Sequence, residues 1–154
     1  MADQKQLDEI YMGTALLHSR LSKARRAQVG AVLVTKQGVT LTGFNGTPAG
    51  LSNECEYDYQ MLKDASPTLI TKPEVIHAEL NCILKAAREG VSCIDATMYV
   101  TLSPCVPCAA MMIQAGVKRL VFKDLYRDQG GIGLLLEAQV VVEYYDYTQS
   151  NERK

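Results

Sequence analysis

His77-Ala78-Glu79 stands ahead of Pro104-Cys105-Val106-Pro107-Cys108, and any fold of this chain must bring the two segments together. One imidazole and two thiolates supply three ligands for a tetrahedral zinc. They leave the fourth position open, as a catalytic zinc requires. Glu79 is not needed as a ligand and is placed to carry protons to and from a water at the metal. The spacing has a physical reason. Cys105 and Cys108, at i and i+3, share one face of the first turn of a helix. Pro104 precedes that turn, where a missing N–H costs nothing. A helix N-terminus favours thiolate over thiol, and the metal completes the deprotonation. His77 opens a second apolar-periodic stretch, residues 78–89, so the zinc is predicted to lie between two helix N-termini.

A lone C-x-x-C is also half of a structural zinc site or a redox pair. Closing a structural site needs a second Cys or Cys/His pair. The only other histidine, His18, falls in a predicted first helix with no ligand partner nearby in sequence. A thioredoxin-like pair would follow the first strand, whereas this one follows several elements. A catalytic zinc is the better reading.

The 154 residues suffice for one domain, 1–154, with a real core. A hydrophobic content of 47% excludes disorder of the whole. Net charge is −1, which argues against a polynucleotide groove despite the local cluster Arg20, Lys23, Arg25 and Arg26. There is no apolar run long enough for a membrane span and no apolar signal core at residues 1–6. Two of the five cysteines serve the metal motif, and the remaining three are an awkward number for a disulfide framework. A cytoplasmic location follows, the host's cytoplasm if the source is viral.

Residues 5–21 read as an amphipathic helix, and Val29–Val34 and Val39–Gly43 as a hairpin about Lys36-Gln37-Gly38. Residues 43–53 form a loop rich in Gly, Pro and Asn. Residues 54–73 resist assignment, since Pro67 and Pro73 argue against a long regular element. A helix follows over 77–89, stopped by Gly90; then a strand over 97–102, a helix over 105–115 ended by Gly116, and a strand over 117–122. A helix over 131–138 and a β-rich run over 139–145 complete the order. Strands joined through a helix are usually parallel. The expected fold is α/β in three α-β-α layers, with a mixed five-stranded sheet whose last two strands are parallel. The zinc motifs fall where strands hand over to helices.

At these residues the chain resembles the deoxycytidylate (dCMP) deaminases of the cytidine deaminase-like zinc-dependent superfamily. The resemblance runs from about Ser22 to Val142. It includes Gln28-Val29-Gly30-Ala31-Val32, Gly43-Phe44-Asn45-Gly46, His77-Ala78-Glu79-Leu80-Asn81, Tyr99 to Cys105, Ile113 to Val117 and Tyr126-Arg127-Asp128. It implies a zinc held by His77, Cys105 and Cys108, with Glu79 catalytic, protonating N3 of cytosine and then the departing ammonia as water attacks C4. It further implies substrate contacts from the Ser103 carbonyl to the exocyclic amine, from the Ala78 N–H to O2, from Asn45 to the sugar and from Arg26 to the phosphate. Tyr126 is either packing or a substrate-facing wall. For Asn45-Gly46 a plain turn is compatible with the ligand role. For Arg26 the alternative is a solvated charge after a helix C-terminus.

The product implied is dUMP, feeding thymidylate synthesis. Many members of the family are hexamers activated by dCTP with magnesium and inhibited by dTTP. In this chain the loop Gly43, Phe44, Asn45, Gly46 would carry that regulation, its glycines admitting a close backbone approach and positive φ. Some relatives carry cysteine at the place of Ala24 and His-Cys at Ser52-Asn53, where a second zinc binds; this chain lacks those ligands. Two rival readings stand beside this one. One is a deaminase of a free nucleoside, guanine or a tRNA base; the other is a non-catalytic zinc fold used for assembly, against which Glu79 argues.

Overall fold

A computed structural model describes residues 2–59 and 68–146. The elements in chain order are α1 (Gln4–Ser19), β1 (Gly30–Val34), β2 (Thr40–Phe44), β3 (Glu56–Tyr59), β4 (Thr68–Thr71), α2 (Ala78–Glu89), β5 (Thr97–Leu102), α3 (Val106–Ala115), β6 (Arg119–Asp124), α4 (Gly130–Glu137) and β7 (Val141–Tyr144). Asp3 starts α1 through a capping box with Gln6. Gly90 and Gly116 end α2 and α3 in the left-handed conformation, which a glycine adopts without a Cβ penalty.

The main sheet has the order β2-β1-β5-β6-β7. β1 is antiparallel to both its neighbours, whereas β5, β6 and β7 are parallel. The expected mixed sheet with a parallel final pair is therefore present, and the parallel run extends one strand further. Alternation along the strands splits the core in two. Ala31, Leu33, Met98, Val100, Leu120 and Phe122 face α2, α3 and α4. Val32, Tyr99 and Val121 face Met12 and Ala15 of α1. Helices thus cover both faces, and the expected three-layer α-β-α arrangement is the one observed.

Two sequence expectations need revision. The stretch 54–73 contains a separate antiparallel hairpin, in which Glu56 pairs with Thr71 and Tyr59 with Thr68. Pro73 lies just after its second strand, where it breaks no ladder bond; Pro67 lies outside the described residues. The strand expected over 117–122 runs two residues later. The Val117 N–H closes back on the Met112 carbonyl, so the chain leaves α3 before it pairs. Among the described residues no helix is long and apolar enough to cross a membrane.

Candidate metal centre and active site

His77 is the residue that caps α2, and Cys105 the one that caps α3. Both helices therefore begin at a metal ligand, and Cys108 stands one turn into α3. His77 Nδ1 lies 3.5 Å from Cys105 Sγ and 3.3 Å from Cys108 Sγ. The three ligand atoms all fall within 4.8 Å of one another, and among the described residues they form the one group able to hold a metal. Zinc bonds of about 2.0–2.1 Å to nitrogen and 2.3 Å to sulfur, at a tetrahedral angle, separate the two ligand atoms by roughly 3.6 Å. The observed separations and the borderline-soft N/S/S donor set both fit zinc.

The three ligand groups also interact electrostatically with one another. Hydrogen bonds from Cys108 and His77 hold the Cys105 thiol far below its usual range, at about 4. Cys108 is driven far up by donating that hydrogen bond and by burial, and His77 is raised mainly by its bond to Cys105. Three donor groups here share protons at a spacing suited to one divalent cation, which would take the protons' place. Glu79 is 3% exposed, and burial raises its carboxyl to about 7. A carboxyl so placed exchanges a proton near neutrality without serving as a ligand.

One cleft is lined by His77, Glu79 and Cys105 together with Ala78, Ser103, Asn45, Tyr126, Arg26, Thr71 and Glu56. The structure thus collects onto one surface the five residues expected at the substrate. Ala78 is the first residue of α2, where helix N–H groups lack an intrahelical partner. Ser103 is buried, and its hydroxyl accepts the Tyr126 N–H at 2.7 Å, fixing the Tyr126 loop beside the metal. Asn45 accepts the Val29 N–H and donates to the Ala27 carbonyl, both at 2.8 Å. Its amide therefore braces the loop that carries Arg26 and keeps one lone pair and one N–H for a ligand. Arg26 Nη1 donates to Thr71 Oγ1 at 3.1 Å.

The Gly43–Gly46 segment needs a correction. Neither glycine has a positive φ. A Cβ on Gly43 would lie 2.5 Å from the Ala78 carbonyl oxygen, so this glycine is required by close packing of β2 on α2. Gly46 exchanges two backbone hydrogen bonds with Ile76, at 3.0 and 2.8 Å. The Phe44 carbonyl accepts from Asn81 Nδ2 at 2.6 Å. The whole segment is thus laced to the chain on either side of His77.

Two further features were not anticipated from sequence. Gly131, at the start of α4, packs against the Pro104–Cys105 backbone. Glu56, in the unassigned stretch, is buried and lines the same cleft. The clustered Gly130-Gly131-Ile132-Gly133 was a usable signal for the first. The second had none, because it depends on a tertiary contact.

Comparison with known proteins agrees with this geometry. A family model described as the cytidine and deoxycytidylate deaminase zinc-binding region matches residues 5–124. The chain is 38% identical over 144 residues to the deoxycytidylate deaminase of Enterobacteria phage T4, covering 73% of this chain and 75% of that one. It is 37% identical over 129 residues to the human deoxycytidylate deaminase, covering 82% and 70%. The crystal structure of dCMP deaminase from the cyanophage S-TIM5, in complex with dCMP and dUMP, superposes with a TM-score of 0.80 at 38% identity. It covers 94% of this chain and 100% of that chain.

Proposed function

The chain belongs to the cytidine and deoxycytidylate deaminase family and is a zinc-dependent deaminase; from that premise we propose that it hydrolyses dCMP to dUMP and ammonia. The observation that carries this reading is the cleft whose lining includes His77, Cys105 and Glu79 together with Arg26. A cytosine ring placed against His77, Cys105 and Glu79 leaves Arg26, in the same cleft, as the cation for a 5′-phosphate.

Zinc, when bound by His77, Cys105 and Cys108, supplies Lewis acidity that activates water for attack at C4. Glu79 moves the protons: it passes one from the attacking water to N3, then carries the second from the same oxygen to the leaving amine as the C4 carbonyl forms and the C–N bond breaks. The Ala78 N–H orients the base through O2, and the Ser103 carbonyl accepts from the exocyclic amine. Asn45 bonds the sugar, Tyr126 walls the cleft and Arg26 binds the phosphate. Release of ammonia and dUMP in equal amounts from dCMP tests the reading; no turnover by the zinc-loaded protein would reject it.

The proposal extends to regulation. dCTP with Mg2+ activates, dTTP inhibits, and the enzyme is a homo-oligomer, a hexamer, working in the cytoplasm to supply dUMP for thymidylate synthesis. Support for a regulatory role of residues 43–46 is the pair of backbone hydrogen bonds between Gly46 and Ile76, next to the metal ligand His77. Sigmoidal dCMP kinetics that become hyperbolic with dCTP are expected. A monomer indifferent to both triphosphates would remove the regulatory part alone.

A further inference from the structure

Arg26 lines the cleft and Arg25 precedes it in the chain, yet a nucleoside monophosphate presents one phosphate. Arg25 is already committed. Its Nη1 pairs with Asp58 at 3.1 Å, and its Nε stands 3.8 Å from Glu56 Oε2. Arg26 meets only the neutral Thr71 hydroxyl with its guanidinium, and no carboxylate pairs with it among the described residues. The two positions therefore divide their labour, and the residue common to both is Glu56.

Glu56 has a side chain only 1% exposed. Its Oε1 accepts the backbone N–H of Arg25 at 2.9 Å and that of Arg26 at 3.1 Å. Oε2 has no hydrogen-bond partner among the described residues. A buried carboxylate is costly unless its oxygens are compensated; here Oε1 takes two N–H groups, and the Arg25 ion pair at 3.8 Å compensates Oε2. Glu56 is also the cross-strand partner of Thr71. One rung of the β3–β4 hairpin thus grips Arg26 at both ends, its main chain through Glu56 and its guanidinium through Thr71.

We propose that Glu56 is a positioning residue for the phosphate subsite: it fixes the Arg25–Arg26 backbone and offsets the Arg25 charge, so that Arg26 alone is presented to the phosphate. The inference rests on the dCMP reading above. Its signature is a contrast in sign. Glu56 holds the loop but also adds negative charge beside an anion. Glu56→Gln keeps an acceptor for both N–H groups and removes only the charge. Glu56→Ala removes both.

Calorimetric titration of the zinc-loaded protein with dUMP and with deoxyuridine separates the possibilities. The Kd ratio of the two ligands isolates the phosphate. Glu56→Ala is expected to reduce the preference for dUMP about tenfold, on the scale of one charge-assisted hydrogen bond. Glu56→Gln should leave that preference intact or increase it. In an Arg26→Ala background the effect of Glu56→Ala on the ratio should vanish, since coupled residues are non-additive. Equal weakening of both ligands, a shift of the same sign in Ala and Gln variants, or an undiminished effect without Arg26 would overturn the proposal. A parent protein that binds dUMP and deoxyuridine alike would reject the dCMP reading and this inference with it. A parent that discriminates while Glu56→Ala does not alter the ratio would reject the inference alone.

Discussion

A Cβ on Gly131 would stand 2.1 Å from the carbonyl oxygen of Pro104 and 2.9 Å from that of Cys105. The start of α4 therefore rests directly on the peptide that presents a metal ligand. Neither contact is with a flexible side-chain end, so the backbone must move if the space is filled. Gly131→Ala is expected to destabilise the protein by about 1–3 kcal/mol and to weaken zinc binding, because Cys105 shifts. Thermal melts with zinc titration check this; unchanged zinc affinity would show that α4 yields instead.

Glu79 and Cys108 should separate chemistry from metal binding. Glu79→Gln keeps the volume of a buried side chain and removes its proton exchange, so zinc content stays near one per chain while turnover falls by about 10²–10⁴-fold. Cys108→Ala removes a ligand and should lose both zinc and activity. Metal analysis beside an ammonia-release assay reads both variants. Full zinc and normal turnover in Cys108→Ala would contradict the site.

Arg26→Ala should raise KM for dCMP by roughly tenfold or more, with a much smaller change for deoxycytidine. A phosphate contact remote from the reacting carbon is uniform binding energy, whose loss appears first in KM. Steady-state kinetics on both substrates decide; equal changes would make Arg26 structural.

Asp8 links α1 to the sheet through a two-pronged pair with Arg119, at 2.9 and 2.7 Å, and accepts from Tyr99 at 2.7 Å. Burial pushes its carboxyl up, but the bonds from Arg119, Tyr99 and Gln4 outweigh it and the net shift is downward. The folded state therefore holds this proton less tightly than the unfolded state. The stabilisation is complete above the unfolded value near 3.8 and disappears as pH falls through the lower folded value. Asp8→Asn should cost about 1–2 kcal/mol at neutral pH, and its melting temperature should approach the parent's in acid. A gap as large in acid as at neutral pH would refute the linkage.

How far the sequence led depended on whether a feature was local. The metal triad was legible because His77 and Cys105 mark helix starts and Cys108 follows at helical spacing. Gly90 and Gly116 likewise mark helix ends, and the nearly continuous apolar runs of β1, β5 and β6 suit a sheet buried on both faces. The β3–β4 hairpin was not legible. Glu56 and Asp58 are poor strand formers, and they are held there by Arg25 and the 25–26 backbone, some thirty residues away in the chain. For the same reason Arg26 could be assigned its role only through family resemblance, while the residue that fixes it went unseen. Gly43 was noticed for a conformational freedom it does not use; its need is the closeness of α2, a packing fact with no local signature.

In the proposed reaction this metal centre serves a nucleoside monophosphate. The most direct test compares kcat/KM for dCMP, deoxycytidine and CMP with the zinc-loaded protein, following ammonia and the uracil product together. dCMP should be the preferred substrate, should exceed deoxycytidine by a margin that Arg26→Ala largely erases, and should lose all turnover when zinc is chelated and regain it when zinc is restored. Turnover that favours deoxycytidine over dCMP, or that survives zinc removal, would contradict the account.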